Sequence, residues 1–387
     1  MQIAQNRFLA TLEGLRHGRL RLTTPEGTVH GFGSEGDESH LEIRDWRLLN
    51  RLSARGDVGL GEAWINGDWH STCLESLLTL VLRNRDTLTF GARPGPLSDL
   101  RRWAVDRLPV AFRRGGAGPY RIDDSIGNEF FQLWLDPGMT FSAALFSPGD
   151  DLSRAQDRKH ARILSRLSAG ETVLELGCGW GSFAEAAADE GRRVTGLTLS
   201  PAQKGYADAR LDGRAAIQLK DFRRSSGLFD NIVSIEMIET LGETLWPAYF
   251  ATLKARLAEG GRAVVQAITV PDAEYSVCRQ RTDFSRRHIG PGSVVPCNAM
   301  IAREASRVGL RLRHSFSFGQ DYARTCRIWV QQLLGEKRRI MRQGHDERFV
   351  RRWQFDLESS AAAFATGRAD VVHLELQHGQ GVGAQIR

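Results

Sequence analysis

The chain has 387 residues, 41% of them apolar and 25% charged, an ordinary balance for a folded protein with material for two domains. No apolar run approaches the roughly 18 to 20 residues that cross a bilayer, and residues 1–14 lack the zones of a secretory leader, so a cytoplasmic protein is expected. The net charge is a modest +6, and five scattered cysteines (Cys73, Cys178, Cys278, Cys297, Cys326) form no CxxC pair, which argues against a disulfide framework and against a zinc site.

Residues 1–114 read as a small mixed α/β domain. Turn-rich stretches such as Gly56–Gly67 alternate with short apolar runs, and Leu74–Leu82 reads as a buried helix. At its end Arg101, Arg102, Arg107, Arg113 and Arg114 stand against the single acid Asp106, and further basic stretches lie at 279–313 and 337–352. Such clusters attract polyanions, although any one of them is more commonly a solvated surface. The signatures of nucleic-acid modules are absent, which leaves an anionic membrane surface, met peripherally, as the expected partner. Gly115–Pro119 is a flexible break, and 115–125 is read as a linker.

From 126 to 387 strands and helices alternate as in an α/β domain with a parallel, Rossmann-like sheet of seven strands. The strand candidates are Thr172–Leu176, Arg193–Leu197, Ala216–Lys220, Asn231–Ile235, Ala263–Ile268, Arg311–Phe318 and Val371–Leu376, with helices such as Trp246–Leu257 between them. The segments at about 271–310 and 320–369 are too long for simple connections and are expected to be helical inserts forming a lid or a substrate chamber.

The first of these strands runs into Glu175-Leu176-Gly177-Cys178-Gly179-Trp180-Gly181, whose glycines let the backbone turn tightly beneath a ligand before a helix begins at Ser182. The pattern differs from the dinucleotide fingerprint, whose third glycine falls one position later. Glu175 would repel a pyrophosphate but neutralises a cation, and S-adenosylmethionine (SAM) carries an ammonium and a sulfonium. An ordinary strand–turn–helix corner with a solvated Glu175 is the alternative. Thr198, Ser200 and Gln203 follow the second strand and offer hydroxyl and amide groups. Asp221 and Phe222 follow the third, placed to pair with an adenine and cover its face. Thr198 stands where an acid for the ribose hydroxyls is usual.

With these motifs in place the chain resembles the cyclopropane-fatty-acyl-phospholipid synthase family, which includes mycolic acid methyltransferases. The resemblance rests on LELGCGWG (174–181), GLTLSPAQ (196–203), SIEMIETLGETLWPAYF (234–250), QAITVPDAEY (266–275) and DYARTCRIW (321–329). GNEFFQLWLDPGMTFSAALF (127–146) looks like the family's segment that closes over the cofactor, and the basic N-terminal half like its lipid-binding domain. The resemblance implies a class I SAM-methyltransferase fold and methyl transfer to a double bond of a phospholipid acyl chain. It also implies a bicarbonate base held by cysteine, glutamate, histidine, a backbone group at isoleucine, and tyrosine. By motif the last set falls on Glu239, Ile268 and Tyr322, while Ala143 replaces the cysteine and Gln266 the histidine. Bicarbonate is therefore in doubt, with Gln266 still able to donate a hydrogen bond. Asp123-Asp124-Ser125 replaces the family's H-Y-D, a further departure near the SAM carboxylate end.

Each site residue has a plainer reading: Glu239 as a solvated helix residue, Tyr322 as a packed aromatic, Gln266 as a strand-end amide, and His288 and His314 as structural histidines. The product is open between a cyclopropane, a methylene or methyl branch and a methylated ring, and a homodimer is left open. Two other functions remain at this point: a lipid-binding protein with a degenerate site, and an N-methyltransferase of a small amine.

Overall fold

The computed structural model describes residues 2–88 and 126–379. The arginines at 101–114, the Gly115–Pro119 break with the 115–125 linker, and Asp123–Ser125 lie outside the described residues.

Contacts divide the described chain into two units that are not colinear. One comprises the N-terminal residues together with 282–291 and 345–366, and the other 126–281, 292–344 and 367–379. The linear division had placed 282–291 and 345–366 with the second domain as part of its inserts. The reason for the difference is packing. The helix Glu347–Ala365 puts Phe355 and Ala362 into the same core as Trp64, Trp69 and Leu77, and Phe284 joins them, so close to Gly61 that a Cβ there would lie 2.2 Å from its ring. Within this unit the strands Arg19–Thr23 (β1), Val29–Phe32 (β2), Glu38–Ile43 (β3) and Trp69–His70 (β4) form a sheet of order β2-β1-β3-β4. The helix Leu74–Arg83 buries Leu74, Leu77, Leu78 and Leu80, and the Glu358 carboxylate accepts from the Glu75 N–H at its start, where the helix dipole favours an anion.

The second unit is a seven-stranded sheet of order β10-β11-β9-β8-β5-β6-β7. Its strands are Thr172–Leu176 (β5), Arg193–Thr198 (β6), Ala216–Leu219 (β7), Phe229–Ile235 (β8), Leu257–Thr269 (β9), Leu310–Ser317 (β10) and Asp370–His378 (β11). The first five are parallel, and β11 runs antiparallel between β9 and β10. The inner strands are near-continuous apolar runs because helices cover both faces: Leu174 and Leu176 face a core with Tyr249 and Phe250, and Val173 one with Phe183 and Ala187. Helix starts follow local chemistry. Ser200 accepts from the Gln203 N–H ahead of Pro201–Leu211, and Asp151 accepts from the Arg154 N–H ahead of Leu152–Leu164.

The chain leaves β5 outward to β6 and β7, then returns to β8 on the opposite side. Sheets of this kind open a crevice at the carboxyl ends of the two strands where the order reverses. The site lies at those ends.

Candidate active site

At the end of β5 the backbone takes positive φ at Gly177, Gly179 and Gly181. Gly179 decides the shape of the turn: φ is +52°, and a Cβ built there would meet nothing within 4 Å, so the backbone faces open space. Gly181 instead packs closely, a Cβ there falling 3.1 Å from Ala207. The Gly177 and Cys178 N–H groups donate to the Leu197 carbonyl at 3.0 and 2.9 Å, which ties the turn to β6. The Cys178 side chain is buried among Val173, Val194 and Ile217, so only its backbone is available to a ligand.

Glu175 is 3% exposed, and its Oε2 has no hydrogen-bond partner among the described residues. Burial pushes its carboxyl up to about 8, while the Lys159 ammonium pulls the other way. A buried carboxylate without a partner is costly and favours a cationic ligand beside it. Together with the open Gly179 backbone, this fits SAM.

The flanking residues are a mixed set. The Thr198 hydroxyl donates to Gln203 Oε1 at 2.8 Å, so the two form one polar edge after β6. Asp221 is held by its neighbour, accepting from Arg223 Nε at 2.9 Å and from the far guanidinium nitrogen at 2.6 Å, a pair that lowers its pKa. Phe222 departs from expectation: it is 2% exposed, packed edge-on against Tyr249 in the core under the helix Trp246–Arg256, and offers no open ring face. The apolar pull of that core outweighs the ligand role read from its position beside Asp221.

The residues after β8 form a second centre. Glu236 takes φ +49°, a left-handed conformation rare outside glycine, and its partly buried carboxylate collects three donors. Oε1 accepts from the Ala143 N–H at 2.8 Å and from Gln266 Nε2 at 2.7 Å, and Oε2 accepts from the Tyr322 hydroxyl at 2.6 Å. Gln266 is in turn oriented by His373 on β11, whose Nε2 lies 2.8 Å from its Oε1. Burial drives His373 down to about 3, so the imidazole is neutral. Behind this group Lys159, fully buried on the helix Leu152–Leu164, donates to Ser142 Oγ at 2.7 Å. Desolvation lowers Lys159 to about 8 against the pull of Glu236, Asp136 and Glu175.

Glu239 is 6% exposed rather than solvated, and its Oε1 accepts from the Ile268 N–H. Desolvation and then the charge of Glu236 push it up to about 8. Burial raises Glu236 as well, but the Tyr322 hydroxyl, the Ala143 N–H, the Gln266 amide and Lys159 all favour its ionised form, so of the two neighbouring acids Glu236 is the better placed to ionise, and Glu239 is neutral at pH 7.

The segment 141–146 is pinned over these groups, the Ala144 N–H donating to Thr325 Oγ1 and the Phe146 N–H to Asp321 Oδ2, both at 3.1 Å. Phe131, Trp134, Phe141, Trp180 and Trp329 form one aromatic cluster around it.

Thus Glu239, Gln266, Ile268 and Tyr322 are brought together as expected from the motifs, but around a carboxylate the sequence reading had not singled out. Glu236, Lys159 and His373 were missed. Glu236 stands three positions before Glu239 at a strand end, a spacing that was available as a signal. Lys159 and His373 carry no such mark. The same contacts bear on bicarbonate, whose place the resemblance sets at this group. The Gln266 amide, the Tyr322 hydroxyl and the N–H of Ala143 are engaged with Glu236, and a second anion there would be repelled by it. His288 packs on Phe284 with ring centroids 4.7 Å apart, and His314 is exposed on β10.

The family model described as mycolic acid cyclopropane synthetase matches residues 120–374. The chain belongs to that family. It is 32% identical over 375 residues to the tuberculostearic acid methyltransferase of Mycobacterium tuberculosis, covering 92% of this chain and 87% of that one. To the cyclopropane-fatty-acyl-phospholipid synthase of Escherichia coli K12 it is 29% identical over 340 residues, 84% of each chain. Among solved structures, a mycolic acid cyclopropane synthase complexed with SAH and CTAB superposes with a TM-score of 0.61 at 26% identity, over 65% of this chain and 95% of that one. Like its family, the protein is a SAM-dependent methyltransferase with a class I Rossmann-like sheet.

Proposed function

We propose that the protein methylates a carbon of a double bond in an unsaturated acyl chain of a membrane phospholipid. The observation that carries this reading is the family match over 120–374 joined to a site of acids and aromatic rings suited to a transient cation. SAM supplies an electrophilic methyl group when bound. In this reading Glu175 faces its positive charge, the Gly177–Gly181 backbone lies beneath it, and Thr198, Gln203 and Asp221 border its nucleoside. The alkene's π electrons form the new carbon–carbon bond, leaving a cation on the acyl chain. Ring faces and carboxylates stabilise such a charge by quadrupole and Coulomb attraction, where water would trap it.

No helix among the described residues is long and apolar enough to cross a membrane. A phospholipid substrate must then be met at the bilayer surface, and the basic stretches fit peripheral attraction to anionic headgroups. The match to lipid-modifying relatives along most of the chain disfavours both a small amine substrate and a degenerate lipid-binding site.

The test uses methyl-labelled SAM with vesicles of anionic phospholipid bearing either monounsaturated or fully saturated chains. Label should enter only the unsaturated acyl chains, and faster at low salt. Label entering neither, with SAM bound, would refute the lipid substrate.

A further inference from the structure

The proton lost by the acyl cation needs an acceptor within the site, and one carboxylate is built for it. We propose that Glu236 is the general base of this methyltransferase, replacing any bound anion; the inference rests on the lipid C-methylation reading above.

The donors around the carboxylate leave it acceptor capacity to spare. An ionised carboxylate has about four acceptor positions, two on each oxygen. The Ala143 N–H and the Gln266 amide use both on Oε1, and the Tyr322 hydroxyl uses one on Oε2. That count leaves one acceptor position on Oε2. Burial raises the carboxyl above its ordinary value, and the Tyr322, Ala143 and Gln266 donors, with the Lys159 ammonium behind them, counter that rise by favouring the ionised form. Unlike Glu175 and Glu239, Glu236 keeps part of its surface accessible. Its φ of +49° is a strained conformation of the kind found where a side chain must be aimed, at a cost of about 1–3 kcal/mol. The other ionisable groups facing it do not compete as bases: Glu239 is pushed up to about 8 and is neutral, Tyr322 is pushed well above its usual value, and Lys159 is a cation below about 8.

The step balances. The alkene pair forms a bond to the methyl carbon, the carbon–sulfur bond breaks with its pair going to sulfur, and the second alkene carbon becomes cationic. Oε2 then takes a proton from the added methyl, and the C–H pair closes a cyclopropane. If a hydride shifts first, Oε2 takes the proton from a neighbouring carbon and a methylene results. Glu236 returns the proton to water, and no other reactant is consumed.

The test compares wild type, Glu236→Gln and Glu236→Gly on monounsaturated phospholipid vesicles, in buffer stripped of bicarbonate and in buffer supplied with bicarbonate or formate. Calorimetry with S-adenosylhomocysteine serves as the check on an intact site. Wild type should be indifferent to bicarbonate. Glu236→Gln should bind S-adenosylhomocysteine normally while kcat falls about 10²- to 10⁴-fold and the acidic limb of its pH profile disappears. Glu236→Gly should be partly rescued by formate or bicarbonate. A Glu236→Gln rate near wild type, or a wild-type rate that requires bicarbonate, overturns the proposal while leaving lipid methylation standing. A wild type that transfers no methyl group to lipid overturns the functional reading and the base with it. If Glu236→Gly fails to fold, Glu236→Gln decides alone.

Discussion

His373 Nε2 and Gln266 Oε1 lie 2.8 Å apart across the β9–β11 ladder, where the two residues are register partners. Because His373 is neutral, its N–H donates to the amide oxygen, which turns the Gln266 NH2 toward Glu236. Replacing His373 by Phe frees the amide to flip. One charge-assisted hydrogen bond, about 1.5–3 kcal/mol, should then be lost from Glu236, with a roughly 10- to 100-fold fall in kcat. Affinity for S-adenosylhomocysteine should not change, and steady-state kinetics beside calorimetry would show the split.

Lys159 is the buried counter-charge of Glu236, Asp136 and Glu175. Lys159→Met leaves the ionised acids of this group uncompensated, so the unfolding free energy in denaturant should drop by about 3–5 kcal/mol. In the surviving folded fraction the acidic limb of the kcat/KM profile should move to higher pH, because the attraction holding Glu236 ionised is gone. An unmoved limb would separate Lys159 from the acid.

SAM binding should carry a proton signature. Glu175 rises from an ordinary 4.5 to about 8 in the free protein, so it is protonated at pH 7, and a cationic ligand favours its ionised form. Binding therefore releases a proton, and affinity rises with pH until about 8. Calorimetry in buffers of different ionisation heat should show this release in wild type and its loss in Glu175→Gln. The same shift has a stability consequence. A folded pKa above the unfolded one stabilises fully below pH 4.5, and that contribution is lost as pH rises through about 8. Glu239 adds in the same window. The unliganded protein should thus melt at lower temperature at pH 8 than at pH 6, and less so in Glu175→Gln.

Gly179 tests the cofactor's seat. Its φ of +52° strains any side chain, at a cost of about 1–3 kcal/mol, and the open space above it is where a side chain would project. Gly179→Leu should stay folded by circular dichroism yet lose S-adenosylhomocysteine binding.

Strand positions in the second unit were readable because buried parallel strands are apolar runs closed by glycines and acids: Thr172–Leu176 appears with its anticipated bounds, and the other six strands overlap theirs. The site was readable only where residues sit in motifs. Glu236 gains its meaning from donors 30, 86 and 93 positions away, pairings that only folding supplies. Lys159 sits in LSRAQDRKHARIL, a stretch so polar that it reads as a solvated helix, although the fold buries Lys159 and His160. Phe222 misled in the opposite sense, its place beside Asp221 hiding a core residue. The membership of 345–366 in the N-terminal unit was equally invisible, since the apolar face of an amphipathic helix does not say which core it will meet.

The central claim is tested most directly by mass spectrometry of the acyl chains recovered after purified protein, SAM and monounsaturated phospholipid vesicles are incubated together. The account predicts that unsaturated chains gain the mass of one CH2, in step with the S-adenosylhomocysteine formed. Acyl chains of unchanged mass, with S-adenosylhomocysteine binding intact, would contradict it.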